Sequence, residues 1–63
     1  MNLLKLIRQA ENQGCNIIFL KDYKEQGRYL EYNSQHFIFI NDNLSDIMKI
    51  NVILHELAHF KNQ

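Results

Sequence analysis

The sequence predicts an α+β domain in which an N-terminal helix, a small three-stranded, mostly antiparallel sheet and a C-terminal helix follow one another. Apolar residues recur at helical spacing over residues 2–13, and three short β-rich runs occupy the middle of the chain. A long apolar helical pattern then runs from Ser45 to about Lys61, and we expect this helix to pack on the sheet. Sixty-three residues leave room for one domain, which we place over residues 1–63.

The first helix is predicted between Asn2 and Gln13, because five apolar residues recur there at helical spacing. They are Leu3, Leu4, Leu6, Ile7 and Ala10. Asn2 is a good N-cap residue, and Gly14 stands where a left-handed residue commonly ends a helix. Lys5 and Arg8 interrupt the apolar stretch and no small-residue cleavage site follows it, so it does not have the pattern of a signal peptide.

Three strands are predicted in the middle of the chain. Cys15 to Leu20 is almost wholly apolar, which suits a strand covered on both faces. Arg28 to Tyr32 alternates polar and apolar side chains, and His36 to Ile40 is rich in β-forming residues. Lys21 to Gly27 is polar and is predicted to be a loop. The turn-forming residues Asn33 to Gln35 join the last two strands, so these strands are expected to form a hairpin.

The last helix is predicted to begin after Ser45, a good N-cap residue, with Asp46 favourably placed in its first turn. The pattern that follows has so little polar face that we expect the helix to be buried in the centre of the domain. Its few polar positions include His55, Glu56 and His59.

These three polar residues form the motif His55-Glu56-Leu57-Ala58-His59, which has the pattern H-E-x-x-H. On a helix this spacing places two imidazoles one turn apart on one face, where both can bind a single Zn²⁺. Glu56 is rotated by about 100° from His55, close enough to act on a metal-bound water without being a ligand. The pattern therefore predicts zinc ligation by His55 and His59, and hydrolysis of a peptide bond with Glu56 as the catalytic base.

A plainer interpretation is that two histidines of a core helix form hydrogen bonds to the backbone or to each other. Burial of two imidazoles and a carboxylate without a metal costs several kcal/mol unless each group has a partner. Because the surrounding positions are so apolar, this cost favours the metal site.

The stretch from Phe37 to Ser45, followed by Ile53 to Phe60, resembles the ImmA/IrrE-type metallopeptidases. In that family a strand ends in an asparagine-containing turn, and a leucine-serine start leads into the zinc-binding helix. The strand that begins with Gly27-Arg28-Tyr29-Leu30 also resembles the family pattern, so the likeness covers about residues 15–60. The resemblance implies zinc-dependent endopeptidases of bacteria, phages and mobile elements, several of which act on repressors or other regulatory proteins.

Carried over by position, the resemblance makes His55 and His59 metal ligands and Glu56 the catalytic base. Family members continue past the motif, and a later helix supplies the third ligand. The chain therefore corresponds to the front portion of such a domain, and a C-terminal segment or a second chain is expected to complete the site. Candidate ligands within the chain, each with a plainer role in a strand, turn or cap, are His36, Glu31, Asp42, Asp46 and Cys15.

The three tyrosines, Tyr23, Tyr29 and Tyr32, are candidates for stabilising an oxyanion, although packing at a sheet edge is the commoner role of such residues. Basic and acidic residues balance at seven each, which argues against a nucleic-acid-binding surface and a polybasic membrane surface. The longest apolar runs are too short to cross a bilayer, and Cys15 has no second cysteine to pair with. The cytoplasm is therefore the expected compartment.

The leading interpretation is a zinc-dependent metallo-endopeptidase that hydrolyses a regulatory protein, such as a transcriptional repressor, with the substrate extended along a sheet edge. The first alternative is a catalytically incomplete interaction module of a phage or mobile element, which acts by binding a partner protein. A second alternative is a structural zinc ion that stabilises a minimal core.

Overall fold

The computed structural model describes residues 1–62, which form two helices and one three-stranded sheet. The elements in chain order are α1 (Leu3–Asn12), β1 (Cys15–Leu20), β2 (Gly27–Tyr32), β3 (Gln35–Asn41) and α2 (Asp46–Lys61). The α+β class and the order of elements agree with the prediction. No helix within these 62 residues is long and apolar enough to cross a membrane.

The first helix begins and ends as its sequence predicts. The side chain of Asn2 accepts a hydrogen bond from the backbone N–H of Lys5, 3.2 Å away, which satisfies one of the free donors of the first turn. Gly14 has a φ of +94° and its N–H donates to the carbonyl of Glu11, so the chain turns left-handed directly after α1. Leu6 and Ala10 are the buried residues of this helix.

β3 lies in the centre of the sheet, with the strand order β1-β3-β2. β2 pairs with β3 in antiparallel orientation through the predicted hairpin, whereas β1 runs parallel to β3, so the sheet is mixed. The hairpin turn consists of Asn33 and Ser34, whose φ angles of +52° and +64° fit the tight turn that matches the twist of two antiparallel strands. The turn is one residue shorter than predicted, because Gln35 already pairs with Tyr32.

The core lies between one face of the sheet and the two helices. Its sheet residues are Cys15, Ile38 and Ile40, which alternation places on the same face. The expectation that β1 is covered on both faces is wrong, because both helices pack on this one face. Asn16 and Leu20, on the opposite face of β1, are exposed.

The second helix is less buried than its composition suggests. Ser45 caps it as predicted and accepts a hydrogen bond from Met48 N, but only Val52, Ile53 and Leu57 are buried along its length. Ile47 is 73% exposed and Leu54 is 43% exposed. The expectation of a central, surrounded helix is wrong because one small sheet and α1 cover only one side of α2.

A glycine allows β2 to approach α2 closely. A Cβ atom at Gly27 would overlap the side-chain atom Cγ1 of Val52 and would lie 3.2 Å from the carbonyl oxygen of Phe39. The absence of a side chain at this position therefore brings the edge strand against the middle of α2. This close approach places Tyr29, two residues further along β2, beside the motif on α2.

Candidate metal and catalytic site

The two histidines of the motif lie on one turn of α2, as their spacing predicts. The ring centroids of His55 and His59 are 5.1 Å apart, and the ring planes are nearly perpendicular, at 81°. Both residues are exposed. Two imidazole nitrogens on one exposed turn fit the ligand preference of Zn²⁺, and these residues would hold the ion if it binds here.

The exposure of the histidines removes one argument for the metal. We expected burial of two imidazoles and a carboxylate to make a metal-free site costly, but only Glu56 is partly buried. The support for a zinc site is therefore the placement of the two rings and not the cost of desolvation.

Glu56 contacts the edge strand of the sheet. Its Oε1 atom accepts a hydrogen bond from the backbone N–H of Tyr29, 3.1 Å away. This hydrogen bond uses one of the two carboxylate oxygens and fixes the orientation of the side chain. The base predicted from the motif is thus positioned by a residue 27 positions earlier in the chain.

The amide of Tyr29 belongs to the free edge of β2. Asn41 N donates to the carbonyl of Gln26, so Gln26 and Asn41 form a hydrogen-bonded pair of the antiparallel ladder between β2 and β3. Because such pairs alternate, the backbone groups of Arg28 and Leu30 point toward β3. Those of Gly27, Tyr29 and Glu31 point away from the sheet, toward the side on which a further strand could add.

The phenol of Tyr29 makes a separate contact on the core side of the sheet. Its hydroxyl lies 2.7 Å from Nδ1 of His36, and the ring of Phe60 packs edge-on against His36 with centroids 4.8 Å apart. Burial raises the pKa of the Tyr29 phenol above its ordinary value, and the charges of Glu31 and Cys15 act in the same direction. The Tyr29 hydroxyl is hydrogen-bonded to His36, and the Tyr23 ring packs near Phe39. These contacts favour a packing role for both tyrosines over the stabilisation of an oxyanion.

The other candidate ligands do not gather around the motif. His36 is hydrogen-bonded to Tyr29, and Asp42 forms an ion pair with Lys49 at 2.9 Å. Asp46 lies about two and a half helical turns before His55. Cys15 is completely buried, and burial raises the pKa of its thiol. Glu31 is exposed at the edge of the sheet.

No group of three or more His, Cys, Asp or Glu residues within residues 1–62 is arranged to hold a metal ion. The described part of the chain therefore offers two imidazoles as candidate ligands and a carboxylate, but not the three protein ligands of a complete hydrolytic zinc site.

Two clefts meet at Gly27 and Glu56, between the free edge of β2 and α2. The first has a volume of about 480 Å³ and is largely polar; its lining residues are Glu25, Gly27, Arg28, Tyr29, Glu56 and His59. The second has a volume of about 510 Å³ and is more apolar; its lining residues are Gln26, Gly27, Met48, Asn51, Val52, His55 and Glu56. The motif thus faces an elongated depression that follows the edge strand.

The polar cleft contains an ion pair that sequence reasoning missed. The guanidinium of Arg28 donates two hydrogen bonds to the carboxylate of Glu25, with Nε 2.7 Å from Oε2. This contact lowers the pKa of the Glu25 carboxyl. Ion pairs between residues three positions apart are common on helices, where the two side chains lie on one face. Glu25 lies in the loop before β2 and Arg28 lies in the strand, so the sequence does not predict their contact. Met48 and Gly27 were also missed, because only the fold brings them beside the motif.

Comparison with known families agrees with this arrangement. The family model for the IrrE N-terminal-like domain, which describes peptidases of the M78 type, matches residues 10–63. Comparisons with curated proteins and with solved structures give no significant match. The family match covers all three strands and the whole of α2. The chain therefore belongs to the IrrE N-terminal-like family, and its fold is that of a metallopeptidase-like domain.

Proposed function

We propose that this domain acts in a zinc-dependent metallo-endopeptidase in which His55 and His59 bind Zn²⁺ and Glu56 is the catalytic base. The observation that carries the proposal is the placement of Glu56, which lies between the two exposed imidazoles of α2 and the free edge of β2. When bound, Zn²⁺ supplies a Lewis acid that polarises a carbonyl group and lowers the pKa of water.

Glu56 has one carboxylate oxygen available for proton transfer. The N–H of Tyr29 holds Oε1, so Oε2 accepts the proton of the attacking water and afterwards delivers a proton to the leaving amine. The backbone of Tyr29 orients the base, and the polar and apolar clefts on either side of Glu56 receive the substrate. The steps require no covalent intermediate on the protein.

The proposed substrate is an extended segment of a protein, bound as an additional strand at the edge of β2. The outward-pointing N–H groups of Gly27 and Glu31 and the carbonyl groups of Gly27, Tyr29 and Glu31 provide the donors and acceptors for such pairing, because the N–H of Tyr29 is bound by Glu56. The family resemblance supports a regulatory protein, such as a transcriptional repressor, as the target, and the cytoplasm as the compartment. A third zinc ligand from a second copy of the chain or from a further C-terminal segment is part of this proposal, because residues 1–62 gather only two nitrogen ligands.

Substitution of the base tests the proposed chemistry. Glu56→Gln keeps a side-chain oxygen that can accept the hydrogen bond from Tyr29, but it cannot take up a proton from water. We expect the Glu56→Gln variant to bind as much zinc as the parent protein and to cleave an unfolded protein substrate at least a hundredfold more slowly. Equal cleavage rates in parent and variant would refute the role of Glu56.

A binding module without catalysis is the second candidate function. The free edge of β2 favours it, because the unpaired backbone groups there would serve a partner as well as a substrate. In that case the parent protein and the Glu56→Gln variant bind the partner equally and neither cleaves it. A purely structural zinc ion has less support, because both rings lie on one exposed helical turn and an ion held there would join no two elements.

A further inference from the structure

The outer face of the sheet, on the side away from both helices, is largely apolar. Side chains alternate between the two faces of a strand, and a face that meets water usually carries polar residues. Here Leu20 of β1 is 37% exposed, Leu30 of β2 is 44% exposed and Tyr32 of β2 is 66% exposed. The outer face therefore leaves apolar surface in water that neither helix covers.

The apolar residues of this face form one continuous diagonal stripe across all three strands. The rings of Phe37 and Phe39 on the central strand stack in its middle, with centroids 6.2 Å apart. The register places Ile18 of β1 beside Phe39 and Leu30 of β2 beside Phe37. Contiguous exposed apolar patches often mark interaction surfaces. In order along the diagonal, the residues of this outer stripe are Leu20, Ile18, Phe39, Phe37, Leu30 and Tyr32.

Polar side chains flank the outer stripe, and two of them already have hydrogen-bond partners. The side-chain amide of Asn16 donates to the carbonyl of His36 at 3.0 Å, and that of Asn41 donates to the carbonyl of Tyr23 at 3.0 Å. Contact with another protein would therefore leave these amides paired. An apolar centre with a polar rim is the usual anatomy of a protein–protein interface.

The charge of the outer face favours a protein partner. Of the strand residues that the structure describes on this face, Arg28 alone is charged, and its guanidinium is paired with the carboxylate of Glu25. A face without net charge does not attract the phosphates of a nucleic acid or the head groups of anionic lipids. It also does not repel an identical face.

The outer stripe is complementary to a second copy of itself. A two-fold axis that lies between two such faces and crosses the stripe between Phe37 and Phe39 superposes one stripe on the other. The aromatic rings of both copies then meet at the centre, and the leucine and tyrosine corners cover each other. Two sheets that pack face to face in this way form a sandwich with an apolar middle.

The size of the outer face suits a stable dimer. The molecule measures 29 × 25 × 16 Å along its principal axes. A sheet and one layer of helices, packed about 10 Å apart, account for the shortest dimension, so the outer face is one of the two broad sides. A stable interface buries about 800 Å² on each partner, which is about a fifth of the 4365 Å² accessible surface of the chain. One broad side of a body with these proportions supplies about that share.

We propose that two copies of this chain associate face to face through the outer stripe. The helices lie on the opposite side of each sheet, so both H-E-x-x-H motifs and both free edges of β2 remain on the outside of the dimer. The association supplies no zinc ligand and does not rest on the proposed peptidase function.

Three lysine substitutions test the interface, with the mass in solution measured by sedimentation equilibrium between about 5 and about 500 µM. Leu20 and Leu30 lie on the outer stripe at opposite edges of the sheet, whereas Leu54 lies on α2 and is 43% exposed, like Leu30. We expect the parent protein to change from the mass of one chain to that of two as its concentration rises. Leu20→Lys and Leu30→Lys should each raise the dissociation constant about thirtyfold or more, because an ammonium group would enter the apolar middle. Leu54→Lys should leave it unchanged.

Two results would overturn the proposal in this experiment. One is a parent protein that keeps the mass of a single chain at the highest concentration, which would leave the outer stripe to a different partner. The other is an equal change in the dissociation constant for Leu30→Lys and Leu54→Lys. Thermal unfolding followed by circular dichroism verifies that each variant is folded, and the use of two stripe variants keeps the test decisive if one of them is not.

Hydrogen exchange distinguishes face-to-face packing from pairing of two β2 edges. The amide of Glu31 points away from the sheet along the free edge of β2. Face-to-face packing predicts the same exchange rate for this amide in dilute and concentrated samples. Protection of the Glu31 amide that appears only in the dimer, together with an unchanged dissociation constant in Leu20→Lys, would show edge pairing and contradict the proposal.

Discussion

Oε1 of Glu56 accepts a hydrogen bond from the backbone N–H of Tyr29 at 3.1 Å, and this contact ties the centre of the H-E-x-x-H motif to the free edge of the sheet. The amide would otherwise point into solvent or toward an added strand. The hydrogen bond therefore fixes the orientation of the proposed catalytic base and occupies a donor of the edge at which a substrate is proposed to bind.

Hydrogen exchange at Tyr29 measures this contact directly. Glu56→Ala removes the acceptor, so we expect the Tyr29 amide to exchange its proton about tenfold faster than in the parent protein, as followed by NMR. Glu56→Gln retains an acceptor oxygen and should retain most of the protection. The amide of Glu31, which faces the same edge, serves as the internal control. Unchanged exchange at Tyr29 in Glu56→Ala would show that the hydrogen bond does not form in solution.

The close approach at Gly27 makes a second prediction. Gly27→Ala places a Cβ against Val52, and we expect it to lower the free energy of unfolding by about 1–3 kcal/mol in chemical denaturation. A Val52→Ala background removes the overlap with Cγ1 of Val52 and leaves the tight contact with the Phe39 carbonyl oxygen at 3.2 Å, so the same substitution should cost less there. If Gly27→Ala costs the same in both backgrounds, the contact with Val52 does not limit the position.

Gly14→Ala provides a contrast at the other glycine. Nothing lies within 4 Å of a Cβ at Gly14, but its φ of +94° is unfavourable for any residue with a side chain. We expect a cost of about 1 kcal/mol that does not depend on Val52. This result would separate backbone strain from steric overlap.

The partly buried phenol of Tyr29 predicts a dependence of stability on alkaline pH. Its pKa in the folded protein is raised mainly by burial, so near and above its ordinary value of 10.0 the folded state binds more protons than the unfolded state. The free energy of unfolding should therefore fall as the pH rises through this range. We expect the free energy of unfolding of Tyr29→Phe to fall less steeply with pH than that of the parent protein. The free energy of unfolding of Tyr32→Phe, a substitution at an exposed position, should follow the parent curve. Identical slopes for all three proteins would contradict the assignment.

Much of the fold follows from local signals in the sequence. Asn2 and Ser45 cap the N-termini of α1 and α2, and Gly14 turns the chain left-handed after α1, as their residue types predict. These roles depend only on neighbouring backbone groups. The spacing of His55 and His59 likewise fixes their separation, since the helical repeat sets it.

The predictions that were wrong and the features that the sequence did not predict depend on contacts between distant parts of the chain. The parallel pairing of β1 with β3 and the exposure of α2 follow from the number and placement of neighbouring elements, which apolar patterns do not encode. The contact between Glu56 and Tyr29 and the approach of Gly27 to Val52 join residues more than 20 positions apart. Roles for His55, Glu56 and His59 in catalysis and metal binding remain predictions, supported by geometry and family membership.

Equilibrium dialysis against Zn²⁺, with metal content measured per chain, tests the metal centre most directly. We expect His55→Ala and His59→Ala each to lose the bound zinc, whereas His36→Ala, which removes a histidine hydrogen-bonded to Tyr29, should retain it. Equal zinc content in the parent protein and all three variants would contradict the assignment of His55 and His59 as ligands.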